Sequence, residues 1–368
     1  MKKIGTTVKM LVPTEGNPRN GECSFLRLKN GAILYAYSKY VGTSAEDHAK
    51  ANIVALTSYD EGETWVEERT LLVSGEDSLN YMCPCLLRMQ NGDLGLIYLK
   101  TLPNPRPEGS PVPSGEEGWP DNLSDVLLVR SQDEGKTWSE PVVCSTPGHY
   151  YVIENDHVIR LKSGRILIPV NLHDHGGYGV MGIFASDDDG ATWYSLAENI
   201  HTPFPQTSKT GLQETVLYEH TDGRLHAYSR TDLGCQLEST SDDQGKTWTA
   251  PVPNLFFTSP CSPLMLRDIG IGTAAVFNPI PSYTGRDEID LPTRRTWGRT
   301  PLVCAISKDD GKTYPSVYYL EDDRTNGYCY PAIFAGDGYF LVSYYHSNDM
   351  DMPLRASKIL KIRWDELN

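Results

Sequence analysis

Long apolar runs are absent from this chain of 368 residues. None approaches the roughly 20 residues that a helix needs to cross a bilayer. The opening stretch, Met1-Lys-Lys-Ile-Gly-Thr-Thr-Val-Lys9, lacks the apolar core of a secretory signal, so a cytoplasmic location is expected. Basic residues are outnumbered, 33 against 48 acidic ones, and the net charge of −15 argues against nucleic acid and anionic membrane as partners. Metal-binding cysteine spacing is also missing. Among Cys23, Cys83, Cys85, Cys144, Cys235, Cys261, Cys304 and Cys329, only the second and third are near neighbours, and C-P-C is not the spacing of a zinc knuckle. Reduced, mostly buried thiols are expected, with no metal and no cofactor.

What the chain has instead is turns and a repeat. Gly and Pro are frequent, as an all-β chain with many turns requires. A pattern Ser-x-Asp-x-Gly-x-Thr-aromatic occurs five times. It runs Ser58 to Trp65, Ser131 to Trp138, Ser186 to Trp193, Ser241 to Trp248 and Ser307 to Tyr314. Each copy lies between strand-like runs. Its Gly supplies a positive φ, its Asp and Ser or Thr side chains close the loop onto backbone amides, and its aromatic ring packs on the adjoining sheet. These aspartates are expected to be scaffold. A spacing of about 50 to 70 residues is that of a propeller.

A second repeat counts the blades. Apolar strand, Gly turn and apolar strand recur around Gly31, Gly92, Gly164, Gly223, Gly270 and Gly338. Asn-Gly, Ser-Gly and Asp-Gly between such runs are hairpin signals. Six hairpins and five boxes predict a single all-β domain over 1–368, a six-bladed β-propeller of four-stranded antiparallel blades. The strand around Val8 to Val12 is expected to complete the last blade and close the ring, which hides the sheet edges. The Pro-, Gly- and Glu-rich stretch from Asn104 to Asp121 is expected to be a long loop, a lid or an interface.

The boxes resemble the Asp boxes of the sialidase (neuraminidase) superfamily, and the resemblance covers nearly the whole chain. It implies an exo-acting, retaining glycoside hydrolase whose partner is a glycan. It also implies a site at one mouth of the channel. By position, Glu214 opens the fourth blade and Arg230 follows its second strand, matching the family's Glu and one of its arginines. Arg299 matches another arginine, just before the fifth box. Tyr328, in Gly327-Tyr328-Cys329-Tyr330, resembles the nucleophile, with Tyr330 beside it as a substrate contact. Asp47 matches the general acid/base by its distance to the first box. The residue types fit the chemistry. A sugar with a carboxylate on its anomeric carbon repels a carboxylate nucleophile, and a tyrosine avoids this. Such a phenol needs a base, and the planar fork of arginine fits a carboxylate.

One position breaks the match. The first of the three family arginines should lie about ten residues before Gly31, and the sequence has Gly21 there, followed by Glu22. Arg19 is two residues away, and Arg27 sits inside the strand. A Glu at that place points to hydroxyl recognition, which opens the choice of sugar: sialic acid, a uronic or another ulosonic acid, or a neutral residue. A glycan-binding propeller without hydrolysis is the alternative of a different class. His157, opening the third blade's strand, is a candidate substrate contact. The clusters Asn155-Asp156-His157 and His173-Asp174-His175 are weak candidates for a metal or a base.

Overall fold

A computed structural model describes residues 1–104, 122–173, 178–281, 298–347 and 354–368. The expected loop from Asn104 to Asp121 lies outside the described residues except for Asn104, as do Asp174 and His175.

The strands form six antiparallel sheets in chain order around one axis. Their inner strands are Asn20–Arg27, Asn80–Arg88, the broken pair Tyr151–Val152 and Ile159–Arg160, then Gln213–Glu219, Met265–Asp268 and Gly327–Ala335. The ring closes as expected. The N-terminal strand Thr6–Leu11 pairs antiparallel with Ser357–Arg363 as the outermost strand of blade six. Alternating apolar positions of adjacent blades meet in buried layers. One holds Phe25, Tyr35 and Trp65 of blade one against Phe334 and Leu341 of blade six. Burial of such surface, at roughly 25 cal/mol per Å², is the main force holding the ring shut. All eight cysteines are free thiols, seven of them buried.

The boxes close as self-capped turns. In the third, Ser186 Oγ donates to Asp188 Oδ1 at 2.8 Å and accepts from the Gly190 amide at 2.7 Å. Asp188 also accepts from the amide and hydroxyl of Thr192 at 2.9 and 2.6 Å. In the second and third boxes the residue before the Gly carries a second function that the repeat pattern hides. Glu134 takes Arg88 of its own blade at 2.6 Å and the Lys29 amide of blade one at 3.0 Å. Asp189 likewise takes Arg160 at 2.6 Å and the Gln90 amide of blade two at 3.0 Å. These carboxylates staple neighbouring blades together.

A pH dependence follows. The bonds from Thr192 hold the Asp188 carboxyl down to about 2, against an unfolded value near 3.9. A depressed pKa contributes stability that is whole above pH ~4 and fades as pH falls toward ~2. The melting temperature of Asp188→Asn should therefore trail the parent above pH ~4, and the gap should shrink on acidification. A gap that stays constant down to pH ~2 contradicts this origin.

Across the channel, Asp156 joins five blades. Its Oδ1 accepts from Ser24 at 2.8 Å, and its Oδ2 accepts from Arg267 at 2.6 Å and the Ile333 amide at 3.3 Å. Its own amide reaches the Pro84 carbonyl at 3.4 Å. Beside it, Asn155 donates to the Cys23 carbonyl at 2.8 Å. These two members of the Asn155-Asp156-His157 cluster thus tie the ring together.

Candidate active site

The inner strands carry a shared defect. In blades one, two, four and six the antiparallel register slips, and each slip holds one residue with positive φ: Glu22 (43°), Cys83 (54°), Glu214 (45°) and Tyr330 (57°). A bulge re-aims the side chain it carries. All four of these side chains line one cavity of about 240 Å³ at the mouth of the channel. Arg19, Arg230, Arg299, Asp47 and Glu154 line it too.

The fourth and sixth blades meet at a hydrogen-bonded pair. The Tyr330 hydroxyl donates to Glu214 Oε1 at 3.0 Å. Arg230 Nη1 donates to the Tyr330 oxygen at 3.2 Å and forms an ion pair with Glu214. Arg299 lies over the Tyr330 ring, 5.3 Å from its centroid, and donates to the Cys261 carbonyl at 3.1 Å and to Cys329 Sγ at 3.2 Å. Burial, then the adjacent Glu214 carboxylate, pushes the Tyr330 phenol well above its ordinary value, against the pull of the two arginines. A phenol so placed is neutral and surrenders its proton only to a partner in contact.

The cavity holds a third arginine, two residues from the counted position. Arg19 is 2% exposed and points into the cavity wall. Its Nη2 pairs with Glu22 Oε1 at 2.6 Å, its Nη1 with Asp47 Oδ1 at 2.5 Å, and its Nε donates to the Tyr345 oxygen at 2.8 Å. Tyr345 in turn donates to Glu22 at 2.8 Å. Gly21 explains why counting failed. A Cβ there would sit 1.8 Å from the Tyr345 ring, so the position belongs to the tyrosine that holds Arg19. The bulge at Glu22 adds the residue that upsets the count. The only hint in the sequence was Arg19 itself, two residues off.

Asp47 sits on the rim with its side chain 67% exposed. Its surroundings oppose ionisation, yet the Arg19 guanidinium holds its carboxyl below the usual range. Beside Asp47 the wall is aromatic: His48 Nε2 and the Tyr150 hydroxyl are 3.1 Å apart, and Tyr150 meets His173 edge to face at 5.6 Å. Burial pushes Tyr150 up to about 12 and His173 down to about 4, so both are neutral near pH 7. Glu154, not singled out in the sequence, is buried in this wall. Burial, then the nearby Glu214, drives its carboxyl well above the ordinary range.

Two expected site residues lie elsewhere. Tyr328 is fully buried, its hydroxyl donating to the Asp323 carbonyl at 3.1 Å and its ring packed on Tyr344 and His346. It does not line the cavity. His157 is also buried, with Nδ1 3.1 Å from the Thr215 carbonyl, and burial pushes it down to about 4. It is packed between blades three and four and is not a cavity contact. The structure thus brings together Asp47, Glu22, Glu214, Arg230, Arg299 and Tyr330 from the expected set, and adds Arg19. Among the described residues, no group of three or more His, Cys, Asp or Glu is arranged to hold a metal ion.

Comparison with known proteins agrees with the architecture. The family of BNR repeat-like domains matches residues 37–342. A Sialidase of Bacteroides fragilis is 22% identical over 353 residues, 90% of this chain and 60% of its own length. An Anhydrosialidase of the leech Macrobdella decora is 31% identical over 144 residues, 35% of this chain and 17% of its own. This chain therefore spans less than two thirds of these relatives. Among solved structures, the intramolecular trans-sialidase of Ruminococcus gnavus, in complex with oseltamivir carboxylate, shares the fold. It has a TM-score of 0.71 at 15% identity, covering 98% of each chain. The repeat, the ring and the family match together carry one conclusion: the chain belongs to the BNR repeat-like family of the sialidase superfamily.

Proposed function

We propose that the protein is a retaining exo-glycosidase that removes a terminal sugar bearing a carboxylate on its anomeric carbon, sialic acid or a close relative. One observation carries this reading: three arginines and a Tyr–Glu pair face a single cavity with an aspartate on its rim. Arg19, Arg230 and Arg299 bind the sugar carboxylate through charge-assisted hydrogen bonds. Tyr330 attacks the anomeric carbon as its proton passes to Glu214; Asp47, released from Arg19 when the sugar carboxylate takes that arginine and protonated from solvent at the rim, gives its proton to the departing glycosidic oxygen. In the second half, Asp47 takes a proton from water, the hydroxide attacks the anomeric carbon, and the phenolate leaves and regains its proton from Glu214. Two displacements give net retention. Arg19 in the cavity supports a sugar that bears a carboxylate over a neutral one.

The test is a panel of aryl glycosides of sialic, uronic and neutral sugars. Only the sialoside should release its aglycone. Robust glycan binding with no cleavage of any member would favour a binding propeller and sink the enzyme reading. Arg19→Ala should raise KM for the sialoside at least about 30-fold, corresponding to the lower end of the ~2–5 kcal/mol lost on truncating a buried charge pair. Arg19→Lys should recover only part of this, because an ammonium lacks the two-pronged geometry. A KM unchanged in Arg19→Ala removes Arg19 from the carboxylate clamp.

A further inference from the structure

The junction of blades four and five departs from the repeat that builds the rest of the ring. In the first three hairpins, the residue whose amide closes the turn is Leu28, Met89 or Leu161; in the fourth it is His220. The three apolar side chains are buried. Six residues after this anchor stand Leu34, Gly95 and Leu167, and in blade four His226. The fifth box has Tyr314 where the other four have Trp. Blade four thus puts two imidazoles where its siblings put hydrocarbon or nothing. Burying polar groups costs free energy unless they find partners.

Some of those partners are present, and one is missing. His226 Nδ1 lies 2.5 Å from Glu238 Oε1, and Asn254 donates to Glu238 Oε2 at 2.8 Å. The two imidazole rings are 4.2 Å apart. His220 Nε2 has no hydrogen-bond partner among the described residues. Burial, then the neighbouring His226, lowers the pKa of His220, which leaves a neutral ring with one donor and one acceptor. Above these groups, Phe256 stacks on Tyr314 with centroids 5.0 Å apart and planes at 16°, yet remains 41% exposed. Together they line a cavity of about 590 Å³, within the roughly 300–1,000 Å³ of small-molecule sites. It shares no residue with the arginine-lined cavity. It lies at the other end of the blade: Glu214 and His220 are six residues apart, which along a strand is roughly 20 Å.

We propose that this cavity is a second carbohydrate site, taking one uncharged pyranoside unit. A flat aromatic pair offers a stacking surface to the C–H face of a sugar ring. Among the described residues His220 Nε2 has no partner, and Asn254 keeps a second N–H beyond its bond to Glu238, so the wall holds polar atoms for hydroxyl groups. The rim sets Asp222 against Arg224 and Lys312, so neither sign of charge is selected. The inference stands apart from the assignment of the arginine-lined cavity, since it uses none of those residues.

The test titrates the full chain with methyl β-D-galactopyranoside, methyl α-D-glucopyranoside and methyl α-D-mannopyranoside, followed by saturation-transfer NMR. At least one should bind saturably. Phe256→Ala, at a partly exposed site, should weaken that binding ten-fold or more. His226→Leu, which restores the repeat's own residue, should abolish it. Thermal melting verifies that both variants are folded, and cleavage of an aryl sialoside should be unchanged in both. The inference is overturned if no methyl glycoside saturates the parent, or if binding survives both substitutions. Saturable binding of inorganic phosphate, lost in the same variants, would also overturn it in favour of an anion site.

Discussion

Tyr330→Phe should lower kcat on an aryl sialoside by roughly 10³-fold or more, as removal of a covalent nucleophile in other hydrolases costs up to about 10⁶. Tyr328→Phe should leave kcat within a few-fold and cost about 1 kcal/mol of stability, the net worth of one buried hydrogen bond. The two hydroxyls differ in their partners. That of Tyr330 meets Glu214 inside the arginine-lined cavity, whereas that of Tyr328 meets the Asp323 carbonyl outside it. Loss of the Tyr330 hydroxyl removes the proposed nucleophile and leaves Glu214 with Arg230 alone. The pair of variants is more informative than either one. If Tyr328→Phe is the inactive member and Tyr330→Phe the active one, the nucleophile assignment is wrong. If both keep full activity, the reaction does not pass through a tyrosine.

The second large effect is on the ring itself. Asp156→Ala should destabilise the fold by about 3 kcal/mol, at the low end of the ~3–5 kcal/mol for removing one partner of a buried ion pair. The low end applies because Arg267 keeps 33% of its side chain exposed. Spread over a chain of this size, at roughly 2.1 cal/mol/K of unfolding entropy per residue, the loss corresponds to about 4 °C in Tm. The substitution removes bonds to Ser24, Arg267 and the Ile333 amide at once, so three blades lose a common anchor. Calorimetry of the full chain checks this. An unchanged Tm would mean that the channel network is stabilised by other contacts and that Asp156 is dispensable.

What could be read from the sequence divides along a physical line. The boxes were legible because each closes within a few residues, through bonds set by local spacing, as between Ser186, Asp188 and Thr192. The blade count and the closing N-terminal strand followed from hairpin signals and from the need to hide edges. Glu214, Arg230, Arg299 and Asp47 converge on one cavity, because the blade repeat fixes where strand ends fall. Arg19 was passed over, and Tyr330 was expected only as a substrate contact beside Tyr328, for one shared reason. Strand reasoning assumes a strict two-residue alternation, and an inserted residue changes which face a side chain reaches. Strict alternation gives Tyr328 and Tyr330 the same face; the bulge at Tyr330 separates them. The bulge at Glu22 likewise defeats counting back from Gly31. Glu154 and the partners of Asp156 were hidden because they depend on contacts between residues far apart in the sequence, up to 177 positions for Asp156 and Ile333.

The four bulges have a further consequence for how such a pocket changes over time. Glu22, Cys83, Glu214 and Tyr330 occupy comparable stations on four separate strands, each held by its own blade's ladder. A substitution at one station alters one wall of the pocket and leaves the backbone ladders of the other three blades as they were. Chemistry and specificity can therefore drift wall by wall on an unchanged ring. Cys83, flanked in the cavity lining by Met82 and Leu99, is the station where a new polar group would enter the cavity with the least disturbance to the ion pairs already in place.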